Sequence, residues 1–393
     1  MKKMYKRSWL MLLLAFVLAL AVACGGDAAP TVEEPAVPAA EEPAAPAPAD
    51  EEMAEEVSDR CGDRSRLAAS INFFNWGDYM DEDIMDQFEE ECGVRVNQDI
   101  FSSNEDMIAR IQAGNSGYDL IVPSDYAVQI LVERGLLHEI DRATLTNYEN
   151  LNPNLLGLYY DPDNTYSIPY QWGTTGIAYN MAYLDEHVDS WATILDPDLA
   201  CQHRGFISLL DDEREAVGAA LKYLGYSYND SNPDHHAEAR ELLIAQKECL
   251  AGYDSDNYSG TLAGEEVVMA LAWSGGTAVA RSENENVFFV IPQEGGAIWM
   301  DNLAIPSDAP NPYTAEVFIN YLLDAEIGAQ LSNYTYYFTP NEAAEPLLDD
   351  EYFEILEAGG MIVTDEVYDR LEWIERDDET IIFSDTWTAV KAR

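Results

Sequence analysis

The run Ala297-Ile298-Trp299-Met300-Asp301-Asn302-Leu303-Ala304-Ile305-Pro306 is apolar and strand-like, yet it carries a large aromatic beside a carboxylate. Trp299 and Asp301 are two apart, so on an extended backbone their side chains leave the same face. An indole and an acid sharing a face can hold an organic cation, the ring through its quadrupole and the acid through charge. An ordinary core strand ending in a turn would also accept these two residues, so the weight falls on how many similar groups the chain supplies. Trp76 and Tyr79 follow one apolar run, Ser124 to Tyr126 follow another, and Trp273 ends a third. Asp212 and Glu215 are three apart, a spacing that puts both on one face of a helix. Asp211 and Glu213 read as a solvated helix start, where acids suit the first turn.

The rest of the chain fits a cationic partner. It has 393 residues, 47% of them hydrophobic, with 8 Trp and 23 Tyr, enough for two domains with proper cores. The formal net charge is −52, which disfavours nucleic acid and anionic lipid as partners and favours cations. The five histidines are scattered and no CxxC pair is present, so no transition-metal site and no cofactor is expected.

The N-terminus reads as an export signal over residues 1–23: Lys2, Lys3, Lys6 and Arg7, then an apolar run from Trp9 to Val22, then small residues. The segment Ala21-Val22-Ala23-Cys24 resembles a bacterial lipobox, with Cys24 as the lipidated residue, although Ala stands where Leu is commonest. Residues 24–69 form the expected tether. They are rich in Ala, Pro and Glu and too poor in large apolar side chains to fold. At ~3 Å per residue such a segment reaches at most on the order of 100 Å. The mature chain is therefore expected outside the cytoplasm, periplasmic or at the outer face of the cytoplasmic membrane, attached only through the lipid. Cys61, Cys92, Cys201 and Cys249 remain, an even number that reads as two disulfides. Three connectivities are open, and the sequence-local pairs Cys61 with Cys92 and Cys201 with Cys249 are preferred.

To position the aromatic and acidic groups, the chain needs a scaffold, and its periodicity supplies one. Strands at 71–74, 94–101 and 119–122 alternate with helices at 81–91 and around Met107, Ile108 and Ile111. Such alternation implies a parallel sheet with helices on its faces and ligands at the carboxyl ends of the strands. A second unit follows, with strands at 206–210, 267–273 and 287–291 and helices at 215–223 and 238–249. The helix at 315–323 returns to the first unit, and 347–393 is expected to be a helical tail. The expected fold is α/β with two lobes, periplasmic-binding-protein-like (type II), with an interlobe cleft and two crossing strands near 173–180 and 297–303. Lobe 1 is assigned 70–175 plus 301–345 and lobe 2 is assigned 176–300 plus 346–393. Clefts that close by hinge motion are the usual architecture of extracytoplasmic solute receptors.

From about Ile71 to Arg393 the chain resembles the polyamine-binding receptors of bacterial ABC importers, the spermidine/putrescine-binding family. The strings that carry the resemblance are Phe74-Asn75-Trp76-Gly77-Asp78-Tyr79, Tyr118-Asp119-Leu120-Ile121-Val122-Pro123-Ser124, Ser167-Ile168-Pro169-Tyr170-Gln171-Trp172-Gly173, Leu210-Asp211-Asp212-Glu213-Arg214-Glu215, Gly295-Gly296-Ala297-Ile298-Trp299-Met300-Asp301 and Thr339-Pro340-Asn341. The resemblance implies a polyamine in the cleft, with Trp76, Tyr79, Trp273, Trp299 and Tyr337 as rings, Asp212, Glu215 and Asp301 as acids, and Ser124 and Tyr126 on the first-lobe wall. It also implies an importer permease as partner, a receptor rather than an enzyme, and action as a monomer. A carboxylate about 4 Å from an ammonium gains roughly 4 kcal/mol before desolvation at an effective dielectric of ~20. A desolvated cation over Trp gains up to ~2 kcal/mol, so the acids should dominate affinity while the rings fix the alkyl path.

Three departures from the family pattern bear on specificity. Where spermidine-type members have a glutamine, this chain reads Leu371-Glu372-Trp373-Ile374-Glu375, with Glu375 a candidate replacement. Where putrescine-type members have an acid, three residues after Trp273, it has Gly276, which leans towards a spermidine-type arrangement with Asp212 as the outer acid. Asp125 is an extra acid that could serve a further amine. Two other function classes compete: a hydrolase using Asp212 and Asp301 as acid and base, and a ferric-ion receptor using the adjacent Tyr336 and Tyr337.

Overall fold

In a computed structural model, residues 60–376 and 381–393 are described. The expected export signal, Cys24 and the tether up to residue 59 lie outside the described residues. Residues 60–69, expected as tether, belong to the folded unit. Cys61 is bonded to Cys92, and the Asp63 side chain caps a short 3-10 helix at Arg64–Arg66. The second disulfide joins Cys201 to Cys249, so both sequence-local pairs form.

The first unit alternates as its periodicity implies: β1 (Ser70–Trp76), α1 (Glu82–Cys92), β2 (Arg95–Phe101), α2 (Asn104–Gln112), β3 (Leu120–Ile121) and α3 (Asp125–Glu133). Helix α1 begins where the Asp81 side chain accepts the Asp83 N–H, and it ends at Gly93, whose φ of 73° suits the left-handed closing residue. Its Ile84 and Phe88, one turn apart, are buried on a single face. Strand β1 pairs in parallel with β2 and with β3.

The chain leaves this unit through β4 (Ser167–Asn180), fourteen residues of which all but one are buried. It builds a second unit from α4 (Ala192–Leu195), α5 (Pro197–Ala200), β5 (Ile207–Leu209), α6 (Glu213–Tyr223), α7 (Pro233–Lys247), β6 (Gly252–Tyr253), α8 (Tyr258–Ala263), β7 (Met269–Trp273), α9 (Ser274–Glu283) and β8 (Val287–Val290). It returns through β9 (Gly296–Ala304) to α10 (Pro312–Leu322) and α11 (Ala325–Thr335). The tail consists of α12 (Asp350–Gly359), α13 (Asp365–Tyr368), β10 (Leu371–Trp373) and α14 (Ile381–Lys391). It is therefore not wholly helical: β10 lies parallel to β9, Leu371 opposite Gly296 and Trp373 opposite Ile298. Three residues carry too little pattern to announce a strand, and β9 supplies the partner that makes it one.

The sheet order is β2-β1-β3-β9-β4-β7-β5-β6, with β10 also on β9 and β8 also on β4. Strands β9 and β4 form an antiparallel ribbon from Ser167 opposite Ala304 to Thr175 opposite Ala297. At one end β9 meets β3 through Ala304 and Ile121, and at the other β4 pairs with β7 through Thr175 to Tyr179. The ribbon thus joins two strand groups. On β4 the crossing lies over 167–175, earlier than expected, because residues after Thr175 already pair with β7.

Separate cores serve the two groups. One contains Phe73, Phe88, Leu120, Phe318 and Leu331, and another contains Trp191, Leu209, Leu221, Leu271 and Phe383. In the first, Phe318 is fully buried with its ring 5.9 Å from that of Phe73 and 4.8 Å from that of Phe88. Phe318→Ala should lower unfolding stability by about 3 to 5 kcal/mol. Urea denaturation would measure it, and a loss below about 1 kcal/mol would contradict this packing.

Candidate functional site

One cavity, holding about 510 Å³ of space free of atoms, is lined by Trp76, Gly77, Tyr79, Asn104, Ser124, Tyr126, Asp212, Arg214, Glu215, Trp273, Trp299, Asp301, Tyr337 and Ile374. All ten residues singled out as ligand contacts are among them. Most arrive from the ends of elements, and two from the middle of a strand. Trp76 closes β1, Trp273 closes β7, Asp212 precedes α6, and Trp299 and Asp301 lie mid-strand in β9.

Asp301 is 5% exposed, and Ser124 Oγ donates to its Oδ1 at 2.6 Å. Ser124 is itself held by Asn104, whose amide donates to Ser124 Oγ at 3.0 Å and accepts the Ser124 N–H at 3.1 Å. Burial pushes the Asp301 carboxyl up to about 7, and the neighbouring Ser124 and Tyr79 hydroxyls restrain that rise.

Glu215 is held from three sides. Its Oε1 accepts from Thr175 Oγ1 at 2.9 Å and from Trp273 Nε1 at 3.0 Å, and its Oε2 accepts from the Tyr228 hydroxyl at 2.6 Å. Burial, reinforced by the charge of Asp212, still drives it up to about 7. Asp212 is the N-cap of α6 rather than a residue on its face. Its Oδ1 accepts the N–H groups of Arg214 at 2.8 Å and Glu215 at 3.0 Å. Burial raises its pKa as well.

The rings are set by hydrogen bonds and by contacts with one another. Trp76 donates from Nε1 to the Val122 carbonyl at 3.0 Å, and its ring lies 6.0 Å from that of Trp273. Trp299 donates from Nε1 to Thr175 Oγ1 at 3.1 Å, so Thr175 links this indole to Glu215. Tyr337 lies 5.4 Å from Trp299 and 5.0 Å from Tyr79, centroid to centroid. Two glycines make room. A Cβ on Gly173 would meet the Trp299 ring at 2.8 Å, and one on Gly275 would meet Tyr337 at 2.5 Å.

Several expectations need correction. Asp125 does not line the cavity: its Oδ1 accepts the Tyr126 N–H at 2.7 Å and its Oδ2 lies 3.4 Å from the Met300 N–H, so it ties α3 to β9. Glu375 does not line it either. Its carbonyl accepts from Arg214 at 2.9 Å, and the apolar Ile374 forms the wall instead. Gly276, where no acid was expected, is closely packed: a Cβ there would meet the Tyr258 hydroxyl at 2.0 Å, so Tyr258 would have to shift. Tyr336 and Tyr337 diverge. Tyr337 faces the cavity, while Tyr336 stacks on Tyr352 with centroids 6.1 Å apart, so adjacency in sequence makes no shared ligand pair. Asp211, expected on a solvated helix start, agrees with that reading: it pairs with Lys391 at 2.6 Å and does not line the cavity. Sequence reasoning missed Asn104 and Arg214. The only signals were an asparagine after β2, at a strand's carboxyl end, and a basic residue inside the acidic string at 210–215.

Residues 83–354 match the family model described as bacterial extracellular solute-binding protein. The chain is 38% identical over 284 residues to the spermidine/putrescine-binding periplasmic protein of Escherichia coli, spanning 72% of this chain and 80% of that protein. The spermidine/putrescine ABC transporter substrate-binding protein PotD from Streptococcus pneumoniae superposes with a TM-score of 0.66 at 33% identity, covering 83% of this chain and 99% of that one. The Tp0655 (TpPotD) lipoprotein of Treponema pallidum does so with a TM-score of 0.69 at 29% identity, covering 82% and 100%.

The protein belongs to the bacterial extracellular solute-binding protein family. Its fold is the two-lobe, type II periplasmic-binding-protein fold with an interlobe cleft, and it is a receptor, not an enzyme.

The site acids have a consequence for stability. In the folded, ligand-free protein Asp301 and Glu215 hold protons up to about pH 7, whereas unfolded carboxylates release them near pH ~4. Between these values the folded state binds more protons, so stability falls as pH rises. The ligand-free melting temperature should drop from about pH 5 to about pH 8, and the doubly neutral variant Asp301→Asn/Glu215→Gln should lose less over that interval. Equal slopes in differential scanning calorimetry would contradict the assignment.

Proposed function

We propose that this protein is an extracytoplasmic polyamine receptor that captures spermidine or putrescine in its cleft and delivers it to an ABC importer. The observation that carries this reading is the convergence of six aromatic rings, Tyr126 among them, and three buried carboxylates on one cavity. A polyamine alternates charged nitrogens with short apolar segments. Trp76, Tyr79, Trp273, Trp299 and Tyr337 offer surfaces for the carbons, and Asp212, Glu215 and Asp301 offer separated seats for the ammonium groups. Two of the similar proteins are named for spermidine and putrescine, which supports the reading.

Binding and closure are coupled in this reading. Lobe 1 (70–175 with 301–345) contributes Ser124, Tyr126 and Asp301, and lobe 2 (176–300 with 346–393) contributes Asp212, Glu215 and Trp273. Closure expels the water that would screen the charges, and a closed receptor is the form a permease would read. Lipidation at Cys24 and the acidic tether would hold a monomeric body near the membrane. The lipobox-like string Ala21-Val22-Ala23-Cys24 supports the anchor, and a structural neighbour is itself described as a lipoprotein. No helix among the described residues is long and apolar enough to cross a membrane.

Calorimetric titration at low salt should show spermidine or putrescine binding in the micromolar range or tighter, and Asp301→Asn should weaken it more than Trp299→Leu does. Absence of heat and of a thermal shift with both ligands would end the proposal.

Affinity should also depend on pH. Ammonium groups like that of lysine stay charged to about pH 10, whereas Asp301 and Glu215 lose their charge below about 7. Affinity should therefore fall at least about tenfold between about pH 8 and pH 5.5, roughly one pKa unit's worth of linkage. A flat profile would rule out these acids as the ammonium seats.

A further inference from the structure

Residues Asp211 to Glu215 make the start of α6, and two acids of this turn, Asp212 and Glu215, line the cavity. The other three residues of the turn are each held by one element, the C-terminal helix α14. Lys391 Nζ reaches both carboxylate oxygens of Asp211 at 2.6 Å, Ser384 Oγ donates to Glu213 Oε1, and the Arg214 guanidinium carbon lies 3.9 Å over the Phe383 ring. None of the described residues of α14 lines the cavity itself.

Helix α14 is in turn fixed to α7. Thr386 Oγ1 lies 3.0 Å from His236 Nδ1, and Lys247 Nζ donates to the Val390 and Lys391 carbonyls at 3.0 and 3.1 Å. Phe383, Trp387 and Val390 are buried in the same core as Leu221 and Leu243.

Of the three contacts, that of Phe383 bears most directly on the site, because Arg214 is the one basic residue lining the cavity. Arg214 and Phe383 are both buried, and a guanidinium taken out of water needs partners on every side. Its Nη2 donates to Asn229 Oδ1 at 2.8 Å and to the Glu375 carbonyl at 2.9 Å, whereas Nε and Nη1 have no hydrogen-bond partner. The face of the Phe383 ring is therefore the surface on which the rest of the group rests, with the Tyr126 ring farther off at 5.5 Å. Where that charge sits matters to Asp212, whose Oδ1 accepts the Arg214 N–H at 2.8 Å. The guanidinium favours the ionised form of this carboxyl, against the burial that raises its pKa.

Resting on the polyamine reading above, we propose that Phe383 is a positioning residue for the cleft: its ring seats the Arg214 guanidinium and, with Ser384 and Lys391, fixes the turn from which Asp212 and Glu215 reach the ligand. Three anchors on one rigid helix keep this turn from rocking, so the two acids are held in place before an ammonium arrives and little order is lost on binding. The C-terminal helix thus acts on the site from behind it, through a ring that touches no ligand.

The test is calorimetric titration of the full chain with spermidine and putrescine at low salt, beside thermal melting of each variant. Phe383→Leu keeps an apolar side chain and removes the ring, and it should weaken both ligands about tenfold. The comparison is Val390→Ala, a fully buried position of the same helix whose carbonyl bonds Lys247. It should lower the melting temperature and leave both affinities within about twofold of wild type. Binding by Phe383→Leu within about twofold of wild type overturns the proposal. So does a Val390→Ala chain weakened as much as Phe383→Leu, since a general loosening of the core would then explain both. The double variant Ser384→Ala/Lys391→Ala removes the other two anchors at positions that are not buried, and it should weaken both ligands about threefold. Where Phe383→Leu does not fold, the double variant decides alone, and unchanged affinity there overturns the proposal. A wild type that binds neither polyamine removes the proposal together with the reading it rests on, whereas unchanged variants of a chain that binds remove the proposal alone.

Discussion

A carboxylate taken out of water is stable only where hydrogen-bond donors or a cation replace its hydration. Asp212, Glu215 and Asp301 are each no more than 5% exposed, and the surrounding structure is built to make that tolerable. Glu215 accepts from Thr175, Trp273 and Tyr228, Asp301 from Ser124, and Asp212 from the first turn of α6. Donors of this kind orient the acids without neutralising them, so part of the electrostatic cost stays in place. On the proposed reading, a polycation that brings its own charge relieves it, and selectivity follows because the relief is large only when ammonium groups reach these positions.

The rings act on the same account. Three of the donors that hold the acids or their partners are themselves aromatic: Trp273 bonds Glu215, Tyr228 bonds Glu215, and Trp299 bonds Thr175, which bonds Glu215 in turn. Apolar walls and fixed acids are therefore one unit. Moving a ring moves a carboxylate, and Gly173 and Gly275 matter because they let Trp299 and Tyr337 lie close against the backbone.

Strand β9 connects this chemistry to the fold. It presents Trp299 and Asp301 while forming the two-strand ribbon with β4 that joins the two strand groups. Asp125 and Ser124, at the start of α3, both hold it, the first at the Met300 N–H and the second at the Asp301 carboxylate. On the proposed reading, an ammonium at Asp301 would bear directly on the ribbon that joins the two strand groups.

Much of this was legible in the chain itself. Period-two and period-3.6 patterns mark most of the strands and long helices, and the two-apart spacing of Trp299 and Asp301 puts them on one face of an extended strand whatever surrounds it. The four cysteines form the sequence-local pairs preferred from the sequence. Other features exist only once the chain is folded. Strand β10 needs β9 beside it, Ile374 rather than Glu375 faces the cavity because of the direction that pairing imposes, and Asp125 turns away because the Tyr126 and Met300 N–H groups capture it. Arg214 is unremarkable in sequence, a basic residue within an acidic string. Local spacing decides which side chains share a face, and the sequence alone settles that. Which faces meet, and which charges are thereby left without water, depends on contacts between residues a hundred or more positions apart, and only the tertiary structure decides it.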